Sequence, residues 1–595
     1  MSKKKRLPSL RFWLGANHLF WRFWPQILVF SVLMNILLEG VIIGLRWLTA
    51  KLMVEFNVAY LSYTNIGEIV LDHPLMVVLL VVLLLLVLLL VYWQFTIFML
   101  FVNELQHDHQ PHFRQLMRQS AQRFRQLNGK TFLFLILFFI LALPAVSLFF
   151  STPLLSKVVI PNFILTFIDE HTLYAILLFL FYLGGLWLGL RYLYVLPLLT
   201  LNRLSVQQAR RQSWQLTRHR NWANFKRGLL ATLLGGLIFA VINGLLYLLQ
   251  VGLDQTRFAL PGAMITMLGL EIASLLLASY STIMLLLLMQ PPVALAQPQI
   301  ADTAKHRRFW RILTWTFLSA TVALLLAFNF GYLKGLLTSN PILISHRGVD
   351  AGNGAQNTIP ALEKTARKKP AFIEMDVQET KDGQFICFHD PTLRQLAGRS
   401  ETPQQLTLAQ LQKITVREHG YQAKIPSFDD YLASANKAHQ PLLVELKVTT
   451  HDSPNFTKNF IRRYYQALKQ NDSQIQSLDY QTVAQAKKLA PDLFVDYIMP
   501  YNFAFPETNL NGYAMEVTTL NSYFVDKAHQ QQQLVYSWDV NDQATLNKMQ
   551  LYGVDGIITD RYSAMKQILA QQKDQPHYAA LINSFTDIAG SVWAD

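Results

Sequence analysis

Two patterns of hydrophobic and polar positions divide the chain. Up to about residue 336, long apolar runs alternate with short polar connectors, and beyond it short apolar runs alternate with amphipathic stretches. About 20 apolar residues cross the hydrocarbon core as a helix, because every backbone polar group must be satisfied within the segment. Seven runs meet that length, near residues 26–46, 75–101, 131–151, 173–199, 228–250, 264–290 and 313–335. The second contains "PLMVVLLVVLLLLVLLLVYW" and has no other reading. The first follows a basic start (Lys3, Lys4, Lys5, Arg6, Arg11), as a signal peptide would. Its length, its Asn35 and Glu39, and the lack of an Ala-x-Ala cleavage site favour a retained helix.

In the second half, "PILISHRG", "AFIEMDVQET", "PLLVELKV", "LVYSWDVN" and "VDGIITD" read as strands. Between them lie helical stretches such as "NTIPALEKTARK", "NFIRRYYQALKQ" and "QATLNKMQLYG". Repeated strand–helix units imply a parallel sheet with its site at the C-terminal strand ends. About 225 residues suit one closed (β/α)8 barrel better than an open sheet. The expected architecture is a multi-pass α-helical membrane domain over 1–336, an α/β barrel over 341–566 and a C-terminal tail over 567–595.

Composition sharpens this division. With 52% hydrophobic and 15% charged residues, neither a disordered chain nor one ordinary soluble protein fits. The net charge of +14 would suit a nucleic-acid binder, but it is unevenly placed. Residues 1–340 hold 28 Lys+Arg against 11 Asp+Glu, and residues 341–595 hold 24 against 27. The positive charge belongs to the apolar half, so the expected partner is a lipid bilayer and not nucleic acid. Connectors 104–130, 200–227 and 291–312 carry five, seven and four Lys+Arg, whereas 47–74, 152–172 and 251–263 carry one each. Basic connectors stay inside, which puts the N-terminus in the cytoplasm and, after seven crossings, the barrel outside the plasma membrane. Two basic connectors share a pattern, "MRQSAQRFRQL" and "ARRQSWQLTRHRNWANFKR", and read as amphipathic interfacial helices or as plain connectors. Glu39, Arg191 and Glu271 fall within expected spans, where Arg191 has a cytoplasmic end to reach. A single cysteine, Cys387, excludes a disulfide framework and a multi-cysteine metal site.

Candidate chemistry gathers at the expected strand ends. Glu374 and Asp376 are two apart and point to one face of a strand, as do Glu445 and Lys447. His346 and Arg347 end the first strand, and His389 and Asp390 end "QFICFHD". Each alone has a dull reading as a solvated or packed residue, but buried parallel strands have little reason to end repeatedly in charge. Three carboxylates suit a hard divalent ion, Mg2+ or Ca2+. Arg347 and Lys447 supply cations for a phosphate, and two histidines can divide acid and base roles. That set is suited to metal-assisted cleavage of a phosphodiester.

The run "ISHRG…QNTIPALEKT…FIEMDVQETKDGQFICFHD", continued by "LLVELK", "QSLD", "YSWDVN" and "GVDGIITD", resembles the glycerophosphodiester phosphodiesterase family over residues 341–566. The apolar half is similar to the membrane domain carried by a branch of that family in Gram-positive bacteria. The resemblance implies a TIM barrel, one divalent metal, and hydrolysis of glycerophosphodiesters to glycerol 3-phosphate and an alcohol. It implies His346 and His389 as catalytic residues, Glu374, Asp376 and Glu445 as metal ligands, and Arg347 and Lys447 at the phosphate. Trp538 matches an aromatic near the substrate mouth, with packing in the barrel wall as its other reading. One position departs: Gln356 stands where the family has Glu in Glu-Asn-Thr, which keeps a carbonyl acceptor but removes a charge. Expected substrates are deacylated phospholipids, lipid head groups or glycerol-phosphate polymers of the envelope, teichoic acid among them. The alternatives are a lysophospholipase D-like enzyme on the same barrel, or a lipid-binding or transport protein with the barrel as an accessory module.

Overall fold

The computed structural model describes residues 8–592, except 63–64, 110–112, 125–126, 147–151, 156, 158, 170, 292–306, 503 and 575–577. Six helices among them are long and apolar enough to cross a membrane: Phe12–Glu55, Pro74–Gln106, Thr172–Thr200, Asn221–Leu253, Ala259–Leu288 and Arg311–Leu333. The count expected from sequence was seven. Its third stretch, 131–151, coincides with the helix Gly129–Val146, and its far end lies outside the described residues. The first helix starts well before the expected span, at Pro8, and bends at Phe23, just ahead of Pro25. Proline removes a backbone donor and crowds the preceding turn, which accounts for the bend. Phe30 stacks on Phe101 at 4.0 Å and anchors the packing of the first two spans.

Both patterned basic connectors form 12-residue helices, Phe113–Phe124 and Val206–Thr217. Each buries the serine of its shared Arg-Gln-Ser run against the preceding span. Trp93 donates to Ser120 at 2.9 Å, and Ser213 donates to the carbonyl of Arg191 at 2.9 Å. The Arg191 guanidinium lies 4.0 Å from the Trp214 ring, at the C-terminal end of its helix. Glu271 accepts from Asn329 at 3.0 Å, between neighbouring spans.

Eleven strands follow: β1 (Ile342–Ser345), β2 (Phe372–Glu379), β3 (Phe385–Cys387), β4 (Thr415–Glu418), β5 (Tyr421–Lys424), β6 (Leu442–Leu446), β7 (Gln474–Ser477), β8 (Val495–Met499), β9 (Gly512–Glu516), β10 (Leu534–Trp538) and β11 (Gly556–Thr559). The order β1-β11-β10-β9-β8-β7-β6-β2 closes through a β1–β2 pairing into eight parallel strands. β3 adds antiparallel to β2, and Cys387 on it is buried. β4 and β5 form a separate antiparallel hairpin. Inside the barrel a layer of Ile344, Leu443, Ile498, Ala514, Tyr536 and Ile558 fills the lumen. Strand alternation therefore points Glu374, Asp376 and Glu445, which share the parity of that layer, inward above it.

The membrane half packs directly against the barrel. Tyr60 lies 4.5 Å from the Tyr480 ring and 5.4 Å from that of Tyr497, and the carbonyl of Ala59 accepts from the Glu507 amide at 2.8 Å. Arg46 sits 4.9 Å over the Tyr523 ring. Of residues 567–595, expected as a tail, 567–574 and 578–592 lie in the helices Tyr562–Asp574 and Tyr578–Val592. Tyr578, Ile582 and Phe585 recur at helical spacing, so they bury one stripe against Ala263, Met267, Leu270, Tyr332 and Leu333. The same helix meets the barrel, where Gln543 donates to Ser584 at 3.4 Å.

Candidate active site

The C-terminal ends of β1, β2 and β6 bring the candidate groups together. Glu374, Asp376 and Glu445 are buried, and one oxygen from each lies within 4.8 Å of the others. Arg347 has a left-handed backbone, φ 50°. This turn aims its amide at Glu374 Oε2, 2.9 Å away. Asn357, also left-handed, clamps Asp376: its amide donates to Oδ2 at 2.7 Å, and its oxygen accepts the Asp376 N–H at 3.0 Å. Lys447 Nζ is 2.7 Å from Glu445 and 3.3 Å from Asp376 Oδ1.

The trio fits a divalent cation by its own electrostatics. Burial, and next the neighbouring charge of Asp376, push Glu374 up to about 8. Burial also opposes charge at Asp376, but Lys447, His389 and Arg347 outweigh it and hold that carboxyl well below the usual range. Asp376 Oδ1 is buried with only the Lys447 ion pair at 3.3 Å beside it, and the ligand atoms offered are all hard oxygens.

Each histidine is paired through Nδ1 with an aspartate. His346 Nδ1 is 2.8 Å from Asp560 and 3.5 Å from Asp539, while His389 Nδ1 is 2.8 Å from Asp390. Such a bond fixes each ring, and on His346 the other nitrogen, Nε2, accepts from Arg347 Nε at 3.1 Å. Burial disfavours the charged form of His346, yet Asp539 and Asp560 outweigh it and push the ring up to about 9. Burial and then Lys447 lower His389 instead. Burial disfavours the ammonium of Lys447, but Glu445 and Asp376 more than compensate and raise it.

Gln356 is part of the same cluster. Its Oε1 accepts from Arg347 Nη1 at 2.6 Å, while its Nε2 and backbone N–H donate to Glu418 at 2.7 and 2.8 Å. The carboxylate missing at position 356 thus stands one residue farther out, on the β4–β5 hairpin. Trp538 ends β10 with Nε1 donating to the Ala514 carbonyl at 3.0 Å, so it belongs to both the wall and the mouth. Gly354 serves packing, since a Cβ there would lie 2.9 Å from Ala361.

The seven residues His346, Arg347, Glu374, Asp376, His389, Glu445 and Lys447 converge at one end of the barrel. Sequence reasoning missed Asn357, Asp539 and Asp560, although each lies within a quoted motif, "QNT", "YSWDVN" or "GIITD". Glu418 carried no signal.

Two family models match the chain. Residues 17–331 match the membrane domain of glycerophosphoryl diester phosphodiesterase, and residues 346–564 match the glycerophosphoryl diester phosphodiesterase family. YhdW of Bacillus subtilis is 29% identical over 231 residues, covering 37% of this chain and 93% of that protein. A glycerophosphodiester phosphodiesterase of Caldanaerobacter subterraneus is 25% identical over 230 residues, with 37% and 93% covered. Among solved structures, a Parabacteroides distasonis glycerophosphodiester phosphodiesterase is 25% identical with TM-score 0.35, covering 40% of this chain and 99% of its own. An Oleispira antarctica phosphodiesterase in complex with its product sn-glycerol-3-phosphate is 20% identical with TM-score 0.34, covering 39% and 97%. The chain belongs to the glycerophosphodiester phosphodiesterase family and carries that family's membrane domain.

Proposed function

We propose that the chain hydrolyses glycerophosphodiesters to glycerol 3-phosphate and an alcohol, with one divalent cation, Mg2+ or Ca2+, held by Glu374, Asp376 and Glu445. The observation that carries this reading is the meeting of that buried carboxylate trio with two His–Asp pairs and two cations at one barrel mouth. When bound, the cation supplies charge neutralisation at a phosphoryl oxygen. Arg347 and Lys447 flank the same point and stabilise charge developing on the phosphate. His389 accepts a proton from the attacking oxygen, which is water or the neighbouring glycerol hydroxyl. His346 donates one to the leaving alcohol. The division rests on what each ring pairs with outside the metal trio: His346 lies beside two carboxylates, Asp539 and Asp560, whereas His389 pairs with one, Asp390. Purified protein tested on a panel of glycerophosphodiesters with defined Mg2+ or Ca2+ checks the reading, and near-normal hydrolysis by His346→Ala or His389→Ala would sink it.

The orientation proposed is N-terminus inside, barrel outside. The three connectors that carry one basic residue each, 47–74, 152–172 and 251–263, all touch the C-terminal half, through Tyr60, Asn162 and Asp254. This supports a barrel on the side opposite the basic connectors without relying on the number of crossings. External protease cleaving the barrel in intact cells is the expected result, and full protection would reverse it.

A further inference from the structure

The connector 152–172 does more than join two spans. After the short turn Pro153–Leu155 it forms the helix Asn162–Asp169, and the next span begins at Thr172. That places the helix at the height where hydrocarbon begins. Phe163, Ile164, Leu165, Phe167 and Ile168 make it mostly apolar, yet none of its side chains is buried in the protein. Phe163, Ile164 and Phe167 are 38%, 37% and 53% exposed. An apolar helix bare on several sides and fused to a span lies in the bilayer interface.

The same connector is fastened to the barrel mouth. Lys157 donates to the Thr519 carbonyl, and the Tyr501 hydroxyl donates to the Lys157 carbonyl. The Asn162 amide is 3.3 Å from both Glu516 Oε1 and Thr518 Oγ1. Glu516 and Trp538 are the last residues of β9 and β10, so these contacts are on the C-terminal face of the barrel. The Phe163 ring is 6.1 Å from Trp538, and the next residue, Asp539, is 3.5 Å from His346 Nδ1. An apolar path therefore leads from the interface to within one residue of the candidate catalytic histidine.

We infer that this enzyme's substrates are membrane-resident glycerophosphodiesters, one of whose alcohols bears a hydrocarbon chain that runs over the helix Asn162–Asp169 into the bilayer. This rests on the hydrolase reading above. A water-soluble diester has no group to place on that shelf. An acylated one keeps its chain in lipid while its phosphate reaches the carboxylate trio, so little apolar surface must enter water.

The test uses the full chain in dioleoylphosphatidylcholine vesicles with defined Mg2+. Two probes share a head group: glycerophosphoglycerol, and oleoyl lysophosphatidylglycerol, which adds the chain. The wild type is expected to favour the acylated probe in kcat/KM. The double variant Ile164→Ser with Phe167→Ser is expected to lower the ratio of the acylated to the soluble rate by about ten-fold or more. Phe167→Leu, which keeps hydrocarbon at the site, is expected to hold the wild-type ratio. A ratio unchanged within about two-fold in the double variant, or a wild type that prefers glycerophosphoglycerol, would overturn the inference. Hydrolysis of neither probe by the wild type would instead overturn the hydrolase reading beneath it.

Discussion

The two sides of the barrel mouth are built from different materials. On the β1, β2 and β6 side, every candidate group is supplied by the barrel, and the rim is carboxylate, imidazole, guanidinium and ammonium. On the β8, β9 and β10 side the rim sets Trp538 and main-chain groups beside the Glu516 and Thr518 side chains, and part of it is borrowed from the membrane half through Lys157, Asn162 and Phe163. Under the proposed reading, the difference teaches that bond cleavage and substrate access fall to separate arcs of one ring. Damage to the first should remove turnover for every substrate, and damage to the second should redistribute turnover among substrates.

The sharpest break comes from the polar arc. His346→Ala or His389→Ala should each lower kcat by about 100- to 10,000-fold on soluble and acylated diesters alike, as a stopped assay of phosphomonoester formation would show. Removing divalent cations with EDTA should abolish turnover on both, with recovery on adding Mg2+ or Ca2+. Activity indifferent to chelation would remove the metal reading. Asp560→Asn takes a charge-assisted bond from His346 and should slow turnover by about ten- to a hundred-fold. It also carries a sign. His346 must be protonated to donate, so the rate is lost as pH rises through its raised value of about 9. Without the Asp560 charge that loss should begin at lower pH, and an unshifted basic limb would contradict the assignment.

A milder break is Glu418→Ala. It removes the partner of both Gln356 nitrogens, loosening the amide that accepts from Arg347. The expected cost is about ten-fold in kcat/KM with no preference between soluble and acylated probes, and recovery is expected in Glu418→Gln for the single Gln356 amide contact it can keep. The smallest effect belongs to the borrowed arc. Tyr501→Phe deletes one hydrogen bond to the Lys157 carbonyl and should cost about 1 kcal/mol, seen as a lower unfolding midpoint in detergent with chemistry intact.

Strand alternation explains why much of the polar arc was legible. A period of two makes Glu374 and Asp376 neighbours on one face from sequence alone, and Glu445 follows by the same rule on the paired strand. Partners that arrive from distant strands obey no local period. Asp560 reaches His346 across 214 positions, and Asp539 reaches it from the end of β10. Glu418 depends on a hairpin folding over the site, which no pattern of apolar residues encodes. In the membrane half, hydropathy located the spans, but it was silent on the bend at Phe23. It was silent as well on the contacts of Ala59 and Asn162, which use backbone groups common to every residue.

The helix Tyr578–Val592 carries a consequence of its own. With it, the barrel is fixed to the spans at its last helix, at its outer wall through Tyr60 and at its mouth through Asn162. A head held at those points is fixed in height relative to the spans. For the membrane-resident substrate proposed above, reach then becomes a matter of measurement: the diester suited to the site is the one whose phosphorus stands at the height of the carboxylate trio.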